Sequence, residues 1–490
     1  MQIQSIIDGA RHPAPQNAER LPIECPADES VYGELIEADP ATVDAAVAAA
    51  RRAFDSGPWR RAAPADRQAL LHSIAALIDA HADELAALEC RDAGLPLADV
   101  RSRHLPRAAG NFRYFADLIG TETGEVIEHT PGYLTVVSRE PAGVAALLAP
   151  WNAPLALASM KVAAAISGGN SCVLKPSEHT PVSLARLTEL LHEAGLPNGV
   201  VNLVNGRGPV TGQALAAHAG VDRVAFTGGT ATGRQIMQAA AGHLTPVMLE
   251  LGGKSANILF DTADIDTAVN AALLGIYSNN GQQCLAGSRI LVQRPLLDEF
   301  LNRFVERSRA LTIGDPADAA TELGPLAYRG HYERVLGYAD IARADGATIV
   351  TGGERAEGFD KGYYVQPTAC LVESNRARVA REEIFGPFAC ILPFDDVDEA
   401  IAIANDSPFG LVAYAWTSEL AVALKVRREL RAGTVWINSP LMRELHAPFG
   451  GYKHSGIGRS GGREGHLFYS ETKTTSLHAG DMPLRELGRG

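Results

Sequence analysis

The stretch VAALLAPWNAPLALASMKVAAAISGGNSCVLKPSE (144–178) decides the fold. Short apolar runs stand at 144–149 and 171–175, and a longer helix-forming segment lies between them. Strand, helix and strand in this order form a βαβ unit, in which the two strands are parallel and the helix covers one face of the sheet. The stretch therefore predicts the start of a parallel α/β fold.

The same rhythm continues along the chain. Further candidate strands span 200–204, 223–227 and 247–251, and a second βα series runs through roughly 255–440. Helical periodicity, with prolines at the starts, predicts helices over 41–58, 65–90 and 98–118. The tail 441–490 is rich in glycine and becomes strand-like at 469–477. The prediction is an α/β chain whose parallel sheet has helices on both faces.

Ligands of parallel sheets bind where the strands end. The predicted strands end in loops of small or polar residues, as a cofactor crevice requires, at 149–152, 175–178, 205–208, 227–229 and 250–253. The segment NGRGPVTG (205–212) follows a strand and opens a helix, so its amides can face a pyrophosphate or adenine. A plain tight turn explains the same segment equally well.

Composition limits the function classes. The 490 residues carry a net charge of −13, which argues against a nucleic-acid partner. A hydrophobic fraction of 46% with 21% charged residues is typical of globular domains. Six scattered cysteines without a CxxC pair indicate a reduced, cytoplasmic protein, and no signal peptide is visible. The most apolar stretch, 144–166, contains prolines and Lys161, so it indicates a buried segment and no membrane partner is expected.

Two residues stand out by context alone. Cys284 lies in the polar segment NNGQQCLAGSR (279–289), where a thiol is either reactive or a packing residue. Glu250 ends a predicted strand just before two glycines, where a carboxylate either does chemistry or braces a loop.

Other motifs are weak. The GxGxxG match at 456–461 has no surrounding βαβ unit, and the sequence GGKS (252–255) lacks the first glycine of a phosphate loop. No HExxH, GxSxG or Cys/His cluster occurs, so no metal site is predicted.

Together, seven segments in the same order make the chain similar to the aldehyde dehydrogenase superfamily, of the NAD-dependent hydrolytic type. They are PWNAP (150–154), KPSE (175–178), FTGG (226–229), ELGG (250–253), GQQC (281–284), EIFGP (383–387) and PFGGYK (448–453). The resemblance implies a Rossmann-like NAD-binding domain over 1–118 and 141–250 and a catalytic domain over 251–469. It further implies a β-arm over 119–140 and 470–490 that joins subunits into a homodimer or homotetramer.

The resemblance also implies catalytic roles. Cys284 is the expected nucleophile towards a small-molecule aldehyde, giving a thiohemiacetal and then a thioester. Asn152 and the Cys284 amide would stabilise the oxyanion, and Glu250 would activate the hydrolytic water. Many relatives carry a glutamate at the position of Ser460 that relays protons with a lysine matching Lys161. Serine cannot take that acid–base role near neutral pH.

NAD is the expected cofactor, with NADP left open. A carboxylate at Glu178 beside the adenine ribose repels a 2′-phosphate, which favours NAD. In many relatives a serine stands at the position of Gly229, so one phosphate contact is missing here. The residues expected to hold the cofactor are Pro150, Trp151, Lys175, Ser177, Glu178, Gly208, Pro209, Phe226, Thr227, Gly228, Gly229, Leu251, Gly252, Glu383 and Phe385.

The segments NFRYFAD (111–117), GRSGGR (458–463) and FYSETK (468–473) are most like those of the branch that oxidises muconic-type semialdehydes. In that branch, arginines of this kind hold a substrate carboxylate as a fork-like pair. The hypothesis is that Arg113 with Arg463 or Arg443 binds such a group. Surface ion pairs explain these arginines equally well, and a neutral aldehyde or a CoA-acylating reaction is the alternative. The expected substrate-lining residues are Arg113, Ala153, Ala156, Gln283, Leu285, Arg443, Phe449 and Arg463.

Overall fold

An eight-stranded sheet is built mainly from the first half of the chain. The computed structural model describes residues 1–439, 441–479 and 487–488. Five strands of this sheet are parallel, in the order Val247–Glu250, Arg223–Thr227, Val144–Leu148, Ser171–Lys175 and Val201–Leu203. The five predicted strands are therefore confirmed, with ends that shift by at most one residue. Antiparallel strands extend the two edges, at Gly456–Ile457 and at Ile6–Ile7 with Ala10–Arg11.

The strand order creates a ligand crevice. Val144–Leu148 comes first along the chain, yet it lies in the middle of the parallel strands. The next two strands, Ser171–Lys175 and Val201–Leu203, lie on one side of it. The chain then crosses over, and Arg223–Thr227 lies on the other side. Loops that follow neighbouring strands at such a reversal leave in opposite directions, which opens a crevice at the carboxyl ends.

A second, seven-stranded sheet is formed by the later part of the chain. Its order is Thr348–Thr351, Thr368–Leu371, Phe388–Phe394, Arg289–Gln293, Ala256–Leu259, Val412–Trp416 and Thr434–Ile437, all parallel except the first strand. Two three-stranded sheets complete the strands. One joins Gln2–Ile3, Val31–Ile36 and Arg20–Glu24, and the other joins Ser470–His478, Tyr133–Pro141 and Glu125–Ile127.

The predicted C-terminal strand is confirmed at Ser470–His478. The division of the chain into domains stays a prediction. Of the predicted β-arm, residues 480–486 and 489–490 lie outside the described residues, as does residue 440 of the predicted catalytic domain.

Helices cover the sheets. Those of the first half are Pro40–Asp55, Trp59–Arg61, Pro64–Ala80, Ala82–Ala93, Leu97–Asp99, Val100–His104, Leu105–Ile119, Pro154–Ser167, Val182–Glu193, Gly208–Gly212, Gln213–Ala216 and Thr230–Ala241. Those of the second half are Ile265–Tyr277, Ser278–Gly281, Arg294–Leu296, Leu297–Arg309, Arg329–Ala344, Arg378–Arg381, Val397–Asn405, Leu420–Glu429, Lys453–Ser455 and Gly462–Leu467.

Two predicted helices are interrupted. The helix expected over 65–90 breaks at His81, which has φ −101° and ψ 19° and contacts Glu84 in the acidic first turn of the next helix at 2.8 Å. The helix expected over 98–118 contains a widened turn at Val100–His104. There the backbone N–H of Leu105 donates a hydrogen bond to Val100 O. Pro106 follows this turn and has no N–H to donate, so the regular hydrogen-bond ladder cannot run through it.

A buried carboxylate positions the helix that follows Asn152. Glu89 is fully buried, and its Oε1 accepts a hydrogen bond from the amide of Leu155, in the first turn of Pro154–Ser167, at 2.6 Å. Its Oε2 lies 3.4 Å from His104 Nδ1. A carboxylate at a helix N-terminus satisfies a free amide and interacts favourably with the helix dipole.

Glu89→Ala is expected to destabilise this part of the fold by about 2–4 kcal/mol, because the variant leaves a buried amide and a buried histidine unpaired. Urea unfolding followed by tryptophan fluorescence measures the change. The exposed Glu84 is the control, and Glu84→Ala should cost less than about 1 kcal/mol. Equal midpoints for the two variants would contradict the role of Glu89.

Candidate active site

A cavity of about 310 Å³ lies at the crevice between the loops that follow Val144–Leu148 and Arg223–Thr227. Eleven of the residues predicted to hold the cofactor line it, namely Pro150, Trp151, Lys175, Ser177, Glu178, Gly208, Pro209, Phe226, Thr227, Gly228 and Gly229. The sequence analysis missed other lining residues, among them His179, Gln213, Thr232, Gln235, Ile236 and Tyr328. Most of them follow a recognised segment by a few positions, but Tyr328 is far from every such segment in the sequence.

One end of the cavity is charged. Lys175 Nζ is buried, lies 3.6 Å from Glu178 Oε2 and donates to Pro176 O at 2.6 Å. Glu178 Oε1 accepts a hydrogen bond from the Gly208 amide at 3.3 Å. An ammonium and a carboxylate side by side offer a donor and an acceptor to a pair of vicinal hydroxyls.

The middle of the cavity suits phosphates. The helix Thr230–Ala241 begins here, and its N-cap residue, Gly229, provides no side-chain hydrogen bond to the first turn. A Cβ placed on Gly229 or Gly208 would meet no atom within 4 Å, so backbone lies open to the cavity at both positions. An uncapped helix N-terminus beside open glycines fits a pyrophosphate.

The other end of the cavity is aromatic. The rings of Trp151 and Phe385 meet edge to face with centroids 5.3 Å apart. Glu383 Oε1 accepts the Gly253 amide at 2.8 Å, and burial raises the pKa of the Glu383 carboxyl. A Cβ at Gly252 would lie 2.0 Å from Glu383 Oε2, which explains why this position needs glycine. The remaining predicted cofactor residues are thus brought together here, with Leu251 adjoining them in sequence.

The loop that carries Cys284 is held by asparagine side chains. Asn279 and Asn280 adopt left-handed backbone conformations, with φ of 58° and 56°. Asn279 Nδ2 donates to Asn152 O and to Gln282 O, each at 2.9 Å. Asn152 Nδ2 also donates to Gln282 O at 2.9 Å, so its amide stands against the loop two residues before Cys284.

Burial, assisted by the carboxylates of Glu250 and Glu383, raises the pKa of the Cys284 thiol to about 12. Burial also raises the pKa of the Glu250 carboxyl to about 7, against the lowering effect of Lys161. The Lys161 ammonium donates to Thr227 Oγ1, and burial lowers its pKa to about 8. The site therefore holds a neutral thiol beside a carboxyl that changes protonation near neutral pH.

An apolar cluster surrounds the thiol. Cys284, Leu285 and Leu441 pack against Leu411, Val412, Tyr414, Trp436 and Phe449. Two of the predicted substrate residues, Leu285 and Phe449, belong to it. Tyr414 donates its hydroxyl to Leu285 O at 2.7 Å and stacks on Trp436 with centroids 5.0 Å apart. The sequence analysis missed Tyr414 and Trp436, which lie on strands that are distant from Cys284 in the chain.

Two half-buried arginines adjoin this cluster. Arg443 lies over the Phe449 ring at 4.0 Å from its centroid and 3.6 Å from Met160 Sδ. Burial lowers the pKa of Arg443 to about 9 and also lowers that of Arg107. Both charges act on Cys284 and on Glu250. The Nε atoms of both arginines are buried without a hydrogen-bond partner among the described residues.

The predicted pairing of Arg113 with Arg463 or Arg443 is not assembled. Arg113 is exposed and forms an ion pair with Asp79, and Arg463 is exposed and paired with Glu122 at 2.7 Å. Neither guanidinium is among the charges that act on Cys284 or Glu250. The physical reason is helical geometry, because six residues at about 100° each place Arg113 about 240° around the helix from Arg107.

The other predicted substrate residues are placed differently. Ala153 is partly buried at the start of Pro154–Ser167. Ala156 is fully buried, and its carbonyl accepts the Asn111 side chain at 3.0 Å. Gln283 Nε2 points to Gly275 O at 3.4 Å. The contact of these three residues with substrate stays a prediction.

A crevice at a parallel-sheet reversal, beside a half-buried thiol and a titrating carboxyl, indicates a nucleotide-dependent α/β enzyme. The aldehyde dehydrogenase family profile matches residues 14–475. The aldehyde dehydrogenase of Alternaria alternata is 43% identical, over 93% of this chain and 92% of its own length. The 2-hydroxymuconic semialdehyde dehydrogenase of Pseudomonas sp. strain CF600 is 43% identical, over 91% of this chain and 94% of its own.

A solved structure agrees with this assignment. The NAD⁺ complex of an aldehyde dehydrogenase from Bacillus cereus has a TM-score of 0.95 at 40% identity, covering 98% of this chain and 97% of that one. The chain belongs to the aldehyde dehydrogenase family. The predicted fold and enzyme class are confirmed, and the protein is an NAD(P)-dependent oxidoreductase that oxidises aldehydes.

Two features are absent from the described part of the chain. Within 1–439, 441–479 and 487–488, no helix is long and apolar enough to cross a membrane. In the same part of the chain, no group of three or more His, Cys, Asp or Glu side chains is arranged to hold a metal ion.

Proposed function

We propose that the enzyme uses NAD to oxidise an aldehyde that carries a distal carboxylate, through a covalent intermediate on Cys284. The observation that carries the substrate class is the half-buried pair of Arg107 and Arg443, whose charges act on Cys284 and Glu250 and whose buried Nε atoms have no hydrogen-bond partner among the described residues. Buried cations without partners are costly, and a carboxylate is their natural counter-ion. A neutral aldehyde would leave both guanidinium groups unpaired, so it is the weaker candidate.

In the first step the Cys284 thiol loses its proton and its sulfur attacks the aldehyde carbon. Glu250 accepts the proton, because its pKa of about 7 leaves a large fraction ionised at neutral pH. The Asn152 side-chain amide and the Cys284 backbone N–H stabilise the oxyanion that forms. The asparagine bonds around Gln282 keep these donors in place before substrate arrives.

When bound, NAD supplies the acceptor for the hydride that leaves the thiohemiacetal. The chain then holds a thioester at Cys284. Glu250 releases the thiol proton, which its pKa of about 7 allows near neutral pH, and then removes a proton from the water that attacks the thioester. Lys161, bonded to Thr227, supplies a positive charge that favours the ionised form of Glu250. We assign Lys161 to this electrostatic role.

NAD is favoured over NADP by the charge at one end of the cavity. Glu178 stands beside Lys175 where two vicinal hydroxyls fit. A 2′-phosphate at that place would meet a carboxylate. A CoA-acylating reaction is disfavoured by the buried base Glu250, which serves hydrolysis by water.

The three-part division of the chain is also proposed. Residues 1–118 and 141–250 form the NAD-binding domain, and 251–469 the catalytic domain. The antiparallel sheet of Glu125–Ile127, Tyr133–Pro141 and Ser470–His478 serves as the oligomerisation arm. An exposed outer strand favours pairing with a second copy, in a homodimer or homotetramer. Six free cysteines support a cytoplasmic location.

The test compares 2-hydroxymuconic semialdehyde with benzaldehyde in the purified enzyme with NAD. We expect kcat/KM to favour the semialdehyde by at least about tenfold, because only this substrate pairs with the arginines. Arg107→Met and Arg443→Met should each lower kcat/KM for the semialdehyde by about 30-fold or more. Benzaldehyde oxidation should fall by much less, because a neutral substrate loses only the effect of these charges on Cys284 and Glu250.

Arg113→Met is the matched control, since Arg113 is an arginine of the same helix that is exposed and paired with Asp79. It should leave both substrates unaffected. An equal loss for both aldehydes in the Arg107 and Arg443 variants would reject the carboxylate site and leave aldehyde oxidation standing.

A further inference from the structure

The Glu250 carboxylate is held at one oxygen only. Its Oε1 accepts a hydrogen bond from Ser460 Oγ at 2.9 Å. Its Oε2 is buried and has no hydrogen-bond partner among the described residues. We propose that Ser460 is a positioning residue, whose hydroxyl fixes the plane of the carboxylate and leaves Oε2 as the oxygen that takes the proton. This inference rests on the proposed role of Glu250 as the base.

The Ser460 hydroxyl is itself fixed by the backbone. Ser460 is almost fully buried, and it exchanges two backbone hydrogen bonds with Phe449, each 2.7 Å long. The neighbouring strand Gly456–Ile457 pairs with the strand that ends at Glu250. A Cβ at Gly450 would lie 3.1 Å from Glu250 Oε1, so the absence of a side chain there leaves space for this carboxylate oxygen.

The charges around Glu250 act without direct contact. Lys161 approaches from Pro154–Ser167, Arg107 from Leu105–Ile119 and Arg443 from the segment before Phe449, and the Cys284 thiol faces them. None of the described cationic side chains forms an ion pair or hydrogen bond with the carboxylate. These positive charges favour the ionised form of Glu250. Because they act from several directions and at a distance, they do not fix the rotation of its carboxylate. The Ser460 hydroxyl is the contact that does.

Ser460 cannot act as an acid–base group near neutral pH, because a serine hydroxyl does not ionise there. It can donate one hydrogen bond, which stabilises the ionised carboxylate at a defined orientation. Without it, neither carboxylate oxygen has a side-chain hydrogen bond from the described residues, and the orientation of the base is less well defined. Attack of water on the thioester then becomes slower. The burst also forms more slowly, because the same base takes the Cys284 proton, but the hydride step itself does not use this oxygen.

Ser460→Ala, measured by stopped-flow NADH absorbance, should keep a burst of about one NADH per site and lower the steady-state rate by about tenfold. The pH profile of kcat should also move to higher pH, because loss of the donor disfavours the ionised base. Ser460→Thr retains the hydroxyl and should restore the rate and the profile. A thermal melt and NAD binding check that each variant is folded.

The Glu250→Gln background separates this inference from the proposed function. If both hold, Ser460→Ala has no further effect on a Glu250→Gln enzyme that already stalls after the burst. If Glu250→Gln turns over normally, the assignment of the base fails. If Glu250→Gln stalls but Ser460→Ala keeps the wild-type rate and pH profile, Ser460 does not position the base. Equal losses in burst and steady state, with an unmoved profile and no rescue by threonine, also overturn the inference.

Discussion

Replacing Cys284 with alanine is expected to abolish NADH formation, by about ten-thousand-fold or more, while NAD still binds. Hydride can leave only after sulfur has bonded to the aldehyde carbon, and alanine offers no nucleophile. The cavity that fits the cofactor is lined by other residues, so binding should survive. NADH absorbance with a carboxylated aldehyde measures the first quantity, and titration calorimetry with NAD measures the second.

Cys90→Ala provides the matched control. Cys90 is a buried thiol whose pKa burial also raises to about 12, but it is one of the buried apolar residues on the helix Ala82–Ala93. Its replacement should leave NADH formation close to the wild-type rate. Turnover of Cys284→Ala comparable to this control would remove Cys284 as the nucleophile.

The sheet was predictable because its signals are local. Each of the five parallel strands is an apolar run followed within a few residues by a loop of small or polar residues. The signal for the strand and the signal for its end therefore both lie in one short stretch of sequence. The cofactor residues follow from the same windows, since they stand where those strands end. Glu250 and Cys284 were ambiguous from context and needed the ordered set of motifs around them.

The errors concern contacts between distant segments. Helical period predicts the helix that carries Arg107 and Arg113, but it does not say which face meets the thiol. That face depends on how Leu105–Ile119 packs on Pro154–Ser167, which no local pattern records. The bond from Ser460 to Glu250 joins residues 210 positions apart, so it too appears only in the structure.

Glu250→Gln is expected to release at most one NADH per active site and then stall, with steady-state turnover lower by about a hundredfold or more. Glutamine keeps the shape and can still accept the Ser460 hydrogen bond, but it cannot take a proton from water. The acyl group should therefore accumulate on Cys284. Stopped-flow absorbance reports the burst, and intact-protein mass spectrometry reports the acyl-enzyme.

The pH dependence of kcat is an independent test of the role of Glu250. Because burial raises the pKa of Glu250 to about 7, the wild-type kcat should fall as the pH drops below 7 and the base becomes protonated. Glu250→Gln should lose that limb of the profile. Glu464→Gln is the control, because Glu464 is an exposed carboxylate four residues after Ser460 and should keep both rate and profile. If the limb persists in Glu250→Gln, another group carries the proton and the thioester is hydrolysed without this base.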